Sequence, residues 1–373
     1  MLLWLTIIFL VIYSSLFGYY FYYWLQVPLF KTNTGTKPQG FLSVIVAARN
    51  EEANIPQLVA ALANQSLPQQ QFEVIIVDDY STDATSALLQ PYCNNRFRVI
   101  QPTVPQQLSS KKKAIEAGVA AARGPLLAIT DADCVPPPRW LEQMLAFYNQ
   151  KSAAFIAAPV VLQTAPTLTG IFQMLDFTML QAITAASVQA GAHSMCNGAN
   201  LAYEQQVFAA VGGFKGIDTV ASGDDMLLMY KIWQQDPQRV HYLKSREALM
   251  PTPAMPTWKA FWQQRIRWSS KATHYQDWRV TAALFLVYGF NLWAIMLLIC
   301  ALAGKAEWLL LWVFLGVKTA AELMLLLPAT QFFGGSRYLI FFPLLQPLHI
   351  IYTIVVGIAS RGRRYQWKGR STQ

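Results

Sequence analysis

The chain has 373 residues, 54% of them hydrophobic and only 13% charged, with a formal net charge of +9. It is more apolar and less charged than an ordinary soluble domain, which points to a membrane protein. The positive excess gathers at the edges of apolar segments and no nucleic-acid motif accompanies it, so its expected partner is anionic lipid, not nucleic acid. Cys93, Cys134, Cys196 and Cys300 show no CxxC spacing and do not cluster with the four histidines, which argues against a zinc site or disulfide framework and suits a reducing compartment.

In chain order, Leu2 to about Tyr23 is free of charge, and at helical rise such a run reaches roughly 30 Å, the thickness of a bilayer core. It begins uncharged and closes on Tyr22-Tyr23-Trp24, an interfacial aromatic belt, so residues 1–26 are expected to be a retained anchor, not a cleaved signal peptide. A polar linker with Lys31 and Lys37 follows. Apolar, β-rich runs at 41–48 and 72–77, each ending in a polar turn, precede helix-compatible stretches at 52–64 and 84–89. Further strands are predicted at 96–100, 125–130 and 153–160, with a helix at 112–122. This is βαβ punctuation with buried parallel strands, and it predicts one α/β domain over residues 38–250.

Residues 251–278 place Trp258, Phe261, Trp262 and Arg265 at helical spacing, an amphipathic helix suited to a membrane surface. Three apolar segments follow at 280–303, 307–328 and 338–359, then a basic tail, 361–373, with Arg361, Arg363, Arg364, Lys368 and Arg370. The positive-inside tendency puts the tail, Lys31, Lys37 and the α/β domain in the cytoplasm. Three full crossings cannot join a cytoplasmic domain to a cytoplasmic tail, so one segment should be re-entrant or interfacial; Pro343 and Pro347 single out 338–359. Lys318 and Glu322, four apart, are expected to pair.

In an open parallel sheet, ligands sit at the carboxyl ends of strands. Here those ends read Ala47-Ala48-Arg49-Asn50-Glu51 and Asp78-Asp79-Tyr80-Ser81. A carboxylate there can accept a uracil N–H or ribose hydroxyls, and a guanidinium can meet phosphate, so Ala47, Arg49, Glu51, Asp78 and Asp79 are candidate nucleotide contacts. Asp83 either joins them or caps the next helix. No GxGxxG or P-loop follows the first strand, so phosphates need another partner. Asp131-Ala132-Asp133 supplies one: Asp131 and Asp133 are candidate ligands for Mg2+ or Mn2+, hard cations that keep open positions for a diphosphate. Lys111, in Lys111-Lys112-Lys113, is expected to face that diphosphate, or else to begin a solvated helix. Asp224-Asp225, ahead of an apolar stretch, is either a helix cap or a source of a carboxylate base.

The order of these pieces, Ser43 to Glu52, Val77-Asp-Asp-Tyr-Ser-Thr-Asp83, Asp131-Ala-Asp133, Gly198-Ala-Asn-Leu-Ala-Tyr203 and Gly212-Gly-Phe214, resembles the family-two inverting glycosyltransferases of GT-A fold over about residues 40–275. The resemblance implies a GT-A type, Rossmann-like α/β domain, which the positive-inside tendency puts in the cytoplasm and the apolar segments join to one N-terminal and two to three C-terminal transmembrane helices. It implies a nucleotide-sugar donor, expected to be a UDP-sugar, bound through the metal. The base position falls on Asp225 in Ser222-Gly-Asp-Asp225; many relatives carry Glu where this chain has Asp224. Gln264, Arg267 and Trp268 resemble the QxxRW signature of membrane-bound members, which lies beside acceptor and diphosphate. The expectation is a multi-pass membrane enzyme (in the inner membrane if bacterial) that glycosylates a lipid or lipid-linked acceptor, as ceramide glucosyltransferase-like and glycolipid transferases do. A processive polysaccharide synthase subunit and a catalytically idle nucleotide-sugar-binding scaffold are the alternatives.

Overall fold

A computed structural model describes residues 1–32, 38–106, 110–192, 196–218, 223–270, 277–360, 365–367 and 370–372. Lys37, Ser222, Arg361, Arg363, Arg364 and Lys368 lie outside them, and for Arg370 only the backbone is described. The chain divides into two compact units. A sheet unit comprises 27–163, 193–253 and 366–373, and a helical unit comprises 1–26, 164–192 and 254–365. Residues 164–192, inside the stretch 38–250, therefore group with the helices.

The sheet unit is built on β1 (Leu42–Ala48), β2 (Phe72–Asp78), β3 (Phe97–Ile100), β4 (Leu126–Asp131), β5 (Phe155–Ala157), β7 (Leu201–Glu204) and β8 (Val240–Tyr242), in the order β3-β2-β1-β4-β7-β5-β8. A second, two-stranded sheet pairs β6 (Val160–Gln163) with β9 (Met250–Pro253) in parallel. The sheet is mixed, not all parallel as expected: β7 runs antiparallel to β4 and β5. The predicted strand at 153–160 is two short strands in different sheets. Pro159 is the reason, because it can neither donate to a ladder nor relax its φ.

β1, β2 and β4 are apolar along most of their length because both sheet faces are covered. Their register matters for function: Ala48 stands opposite Asp78, and Ala47 opposite Asp131. Two acidic strand ends thus flank the end of β1 on one edge, where strand order turns from β1 to β4. The helices of this unit are α2 (Ile55–Ala63), α3 (Thr85–Leu89), α4 (Lys111–Ala121), α5 (Trp140–Lys151), α7 (Gln205–Ala210) and α8 (Met226–Gln235). α4 lies close on β1 because Gly118 has no side chain; a Cβ there would come 2.5 Å from Ile45 Cγ2. Below the sheet edge, buried Glu73 accepts from Ser43 Oγ at 2.7 Å, Arg123 N at 2.7 Å and Arg123 Nε at 2.9 Å, tying the start of β2 to the turn before β4.

The helical unit comprises α1 (Leu2–Gln26), α6 (Leu168–Gln189), α9 (Trp258–Ser269), α10 (Trp278–Leu302), α11 (Trp308–Phe333) and α12 (Phe342–Ala359). Among the described residues, five helical stretches are long and apolar enough to cross a bilayer: α1, α6, α10, α11 and residues 336–359, which include α12. α1 shows why: Thr6, Tyr13, Phe17, Tyr20 and Trp24 form one buried stripe, while Leu3, Trp4, Ile8, Val11 and Ile12 point outward. A helix apolar all round is adapted to lipid. α6, which the sequence reading did not single out, is different. Its apolar window is 78% buried, against 17–39% in the others. Its two flanks rejoin the same sheet, at β5 and at β7, so a crossing would divide that sheet between two aqueous phases.

Lys318 and Glu322 pair at 2.6 Å on α11, both buried, and Tyr13 of α1 and Gln346 of α12 complete the network. The C-terminal segments begin or end within a few residues of expectation, except that α11 continues to Phe333 through Pro328. A ribbon of β10 (Tyr365–Trp367) and β11 (Arg370–Thr372) closes the chain.

Candidate active site

The ends of β1 and β2 are laced into one shelf. Asn50 Oδ1 accepts from Thr82 N at 2.8 Å, Glu51 N donates to Thr85 Oγ1 at 2.7 Å, and Glu52 N donates to Asp83 Oδ2 at 3.2 Å. Arg49 donates through Nη1 to the carbonyls of Asp79 (2.6 Å) and Tyr80 (2.9 Å). That contact shapes the turn after β2. Two non-glycine residues here adopt left-handed backbone, Asn50 (φ 51°) and Tyr80 (φ 55°). Asn tolerates that region, whereas for an aromatic residue it is strained, and such strain persists only where surroundings impose it. The Tyr80 hydroxyl donates to Val104 O at 2.7 Å, which supplies part of that restraint. Asp78 is buried and accepts Ser81 N at 3.0 Å, while Asp79, also buried, donates its N–H to Ala48 O. Ala47 is the penultimate residue of β1, and Glu51 accepts from Asn54 Nδ2 at 2.7 Å. Asp83 accepts Thr85 N at 3.0 Å from the position before Ala84, the N-cap of the short α3.

Across β1, the site gathers around one ammonium. Lys111 Nζ lies 2.7 Å from Asp131 Oδ1 and 3.0 Å from Asp224 Oδ2. Cations are disfavoured in the first turn of a helix, where the dipole is positive. The three lysines that open α4 are therefore each compensated: Lys111 by these carboxylates, Lys112 by Ile217 O at 2.5 Å and Lys113 by Glu116 at 2.8 Å. Burial works against the charge on Lys111, but Asp131 and Asp224 outweigh it and hold the ammonium well above its ordinary pKa. Asp133 is in the opposite situation. Burial, then repulsion from Asp131, push its carboxyl up to about 6 in spite of Lys111, and the Cys134 thiol is its hydrogen-bond donor at 3.7 Å.

Asp225 is the N-cap of α8: Oδ1 accepts Met226 N at 2.7 Å and Oδ2 accepts Gly198 N at 3.1 Å. A carboxylate has about four lone-pair directions, so two amide bonds fix its orientation and leave capacity for a further proton. Cap and base are thus compatible. Gly198, which the motif reading noted without a role, permits the close approach, since a Cβ there would stand 3.2 Å from Lys111 Nζ and 3.6 Å from Asp224 Oδ2.

Among the described residues, no three His, Cys, Asp or Glu side chains converge as a self-sufficient metal cage. Two adjacent hard carboxylates, one of them held at a raised pKa by burial and by its neighbour, nevertheless suit a divalent cation that takes its remaining ligands from water and a diphosphate. Gln264, Arg267 and Trp268 lie on α9 in the helical unit, with Phe261 and Arg265 buried on its inner face against α6 and α12. One residue that sequence reasoning missed is Asp176, the lone carboxylate within the apolar run 168–189, paired with Arg265 at 2.7 Å. An ionisable group inside an apolar helix was the available signal.

A mixed seven-stranded sheet with acidic strand ends along one edge is the GT-A fold. Residues 43–212 match the family profile Glycosyl transferase family 2, so this protein carries a family-two glycosyltransferase domain, joined to apolar helices fit for a membrane. It is 24% identical over 269 residues to the probable glycosyltransferase YdaM of Bacillus subtilis, covering 68% of this chain and 60% of that protein. It is 25% identical over 232 residues to the β-monoglucosyldiacylglycerol synthase of a Nostoc species, covering 61% of this chain. The chain thus spans about half (48%) to 60% of these relatives' lengths. The fold matches that of the mannosyltransferase PcManGT from Pyrobaculum calidifontis, solved with GDP-Man and Mn2+, with a TM-score of 0.58, 18% identity and coverage of 96% of this chain and 97% of that one.

Proposed function

We propose that this protein is an inverting, divalent-metal-dependent transferase that moves a sugar from a UDP-sugar to the hydroxyl of a lipid or lipid-linked acceptor at the cytoplasmic face. The observation that carries the reading is the ion-paired Lys111, which ties the metal-type carboxylate Asp131 to the base-type pair Asp224-Asp225. Asp131 and Asp133 would hold Mg2+ or Mn2+, which supplies charge to a departing diphosphate. Lys111 adds a second cation beside it, and Asp78, Asp79, Glu51, Arg49 and Ala47 form the shelf for the nucleoside.

Inversion needs one displacement, with a carboxylate taking the acceptor proton on the face opposite the leaving group. Asp225, oriented by two backbone N–H groups, is the proposed base; Asp224 holds Lys111. Gln264, Arg267 and Trp268 on α9 are the proposed acceptor and diphosphate contacts, since an indole stacks on sugar and a guanidinium forks onto phosphate. The lipid acceptor is supported by the apolar helices and by the diacylglycerol-glucosylating relative. Mass spectrometry of host membrane lipids, with and without the expressed chain, tests it. A new species one sugar heavier than a host lipid is expected, and absent when Asp225→Asn is expressed instead; membranes identical in all three would refute the reading.

A further inference from the structure

The contact between α6 and α9 is more specific than apolar packing requires. Arg265, 3% exposed, ion-pairs through Nη2 with Asp176 Oδ2 at 2.7 Å. The same guanidinium lies over the indole of Trp268, 4.4 Å from its ring centroid, and over Phe261 at 5.0 Å. Phe177, next to Asp176 on α6, meets Trp268 from another side, with ring centroids 6.2 Å apart. Two consecutive residues of α6 thus engage Arg265 and Trp268, three apart and so on one face of α9. The other oxygen of Asp176 lies 3.9 Å from His349 Nε2 on α12.

Burying a charge pair is expensive, and an apolar pair of the same volume would hold two helices together as well. What an apolar pair cannot supply is direction. A carboxylate draws a guanidinium to one place by charge, and the place of the guanidinium selects the face on which an indole meets it. Nε and Nη1 of Arg265 and Oδ2 of Asp176 meet no hydrogen-bond partner among the described residues, so a close charge pair and the two rings are what hold the guanidinium in place.

We propose that Asp176 is a positioning residue which, through Arg265, sets the orientation of the Trp268 indole. Its bearing on catalysis rests on the reading above that Trp268 meets the acceptor.

The test labels the full-length protein with 5-fluorotryptophan in detergent micelles and assigns the Trp268 fluorine resonance by its loss in Trp268→Phe. Asp176→Asn and Arg265→Lys should each shift and broaden that resonance. Trp140, whose indole donates to Asn200 Oδ1 at 2.8 Å in the sheet unit, should stay in place. An unmoved Trp268 resonance in either folded variant overturns the proposal. So does loss of the folded protein in both variants, because the pair would then be a structural requirement. In host membranes, Trp268→Ala should abolish the glycolipid and Asp176→Asn should lower its yield roughly 10–100-fold, the usual effect of a misplaced contact. Full glycolipid yield in Trp268→Ala together with a shifted resonance in Asp176→Asn would remove the acceptor role of Trp268 while upholding the positional link.

Discussion

Lys111 and Asp131 meet at 2.7 Å although one opens a helix and the other closes a strand, and the same ammonium reaches Asp224 at 3.0 Å. One side chain thus neutralises carboxylates that would otherwise repel across the crevice. Lys111→Met should weaken binding of the sugar nucleotide and lower transfer by roughly 10²–10³-fold, the scale of losing one preorganised charge at a developing anion. Isothermal titration with UDP in the presence of Mn2+, followed by a transfer assay, measures both; unchanged binding and turnover would make the Lys111 ion pairs purely structural.

Asp133 yields a pH prediction. Its folded pKa is raised from 3.8 to about 6, so the stabilising contribution of its neutral form is full below 3.8 and lost as pH rises through about 6. At pH 8 the metal-free protein therefore carries a strained carboxylate, and Asp133→Asn should stabilise it by ~1–3 kcal/mol. The same substitution should abolish stabilisation by Mn2+. In the wild type, Mn2+ affinity should weaken as pH falls through about 6, because proton and metal compete for one oxygen. Thermal shift against pH and Mn2+ reads all three, and a destabilised Asp133→Asn at pH 8 would contradict the account.

Asp225→Asn keeps one acceptor oxygen, which can still take the Met226 N–H, and turns an NH2 toward the Gly198 N–H, so the cap on α8 and donor binding should survive while the Gly198 contact is lost. Transfer should fall roughly 10²–10⁴-fold, the usual share of general-base catalysis. Asp224→Asn should hurt less. The reverse order of effects would move the base to Asp224, and two active variants would reduce the pair to a cap.

Within the helical unit, Lys318→Met leaves the Glu322 carboxylate buried without its cation, which should cost about 3–5 kcal/mol. Removing both charges in Lys318→Met/Glu322→Leu should recover most of that loss. Unfolding in detergent compares the three proteins; equal destabilisation of the single and double variants would point to a role beyond mutual neutralisation.

For topology, the positive-inside tendency predicts that the basic tail and Lys37 share one side. Single cysteines at Lys37 and Arg370 should be labelled from the same side of sealed vesicles. Labelling from opposite sides would mean that each of the three C-terminal segments crosses.

The linear chain was enough to place the apolar N-terminal helix, the strand-and-helix alternation, Asp131-Ala132-Asp133, Asp224-Asp225 and the aromatic, basic α9, because hydrophobic period and local polarity are set by neighbours in sequence. It also supplied the Lys318 and Glu322 pair, since residues four apart on a helix must meet. Tertiary structure alone decided the rest. That Lys111, among three consecutive lysines, faces the acids depends on how Gly118 lets α4 settle on β1. That Asp225 is both cap and candidate base depends on Gly198, twenty-seven residues earlier, presenting its N–H. That residues 164–192 leave the sheet unit, and that Asp176 grips Arg265, follow from packing between helices distant in sequence. Such contacts are paired by three-dimensional register, and no local periodicity encodes them.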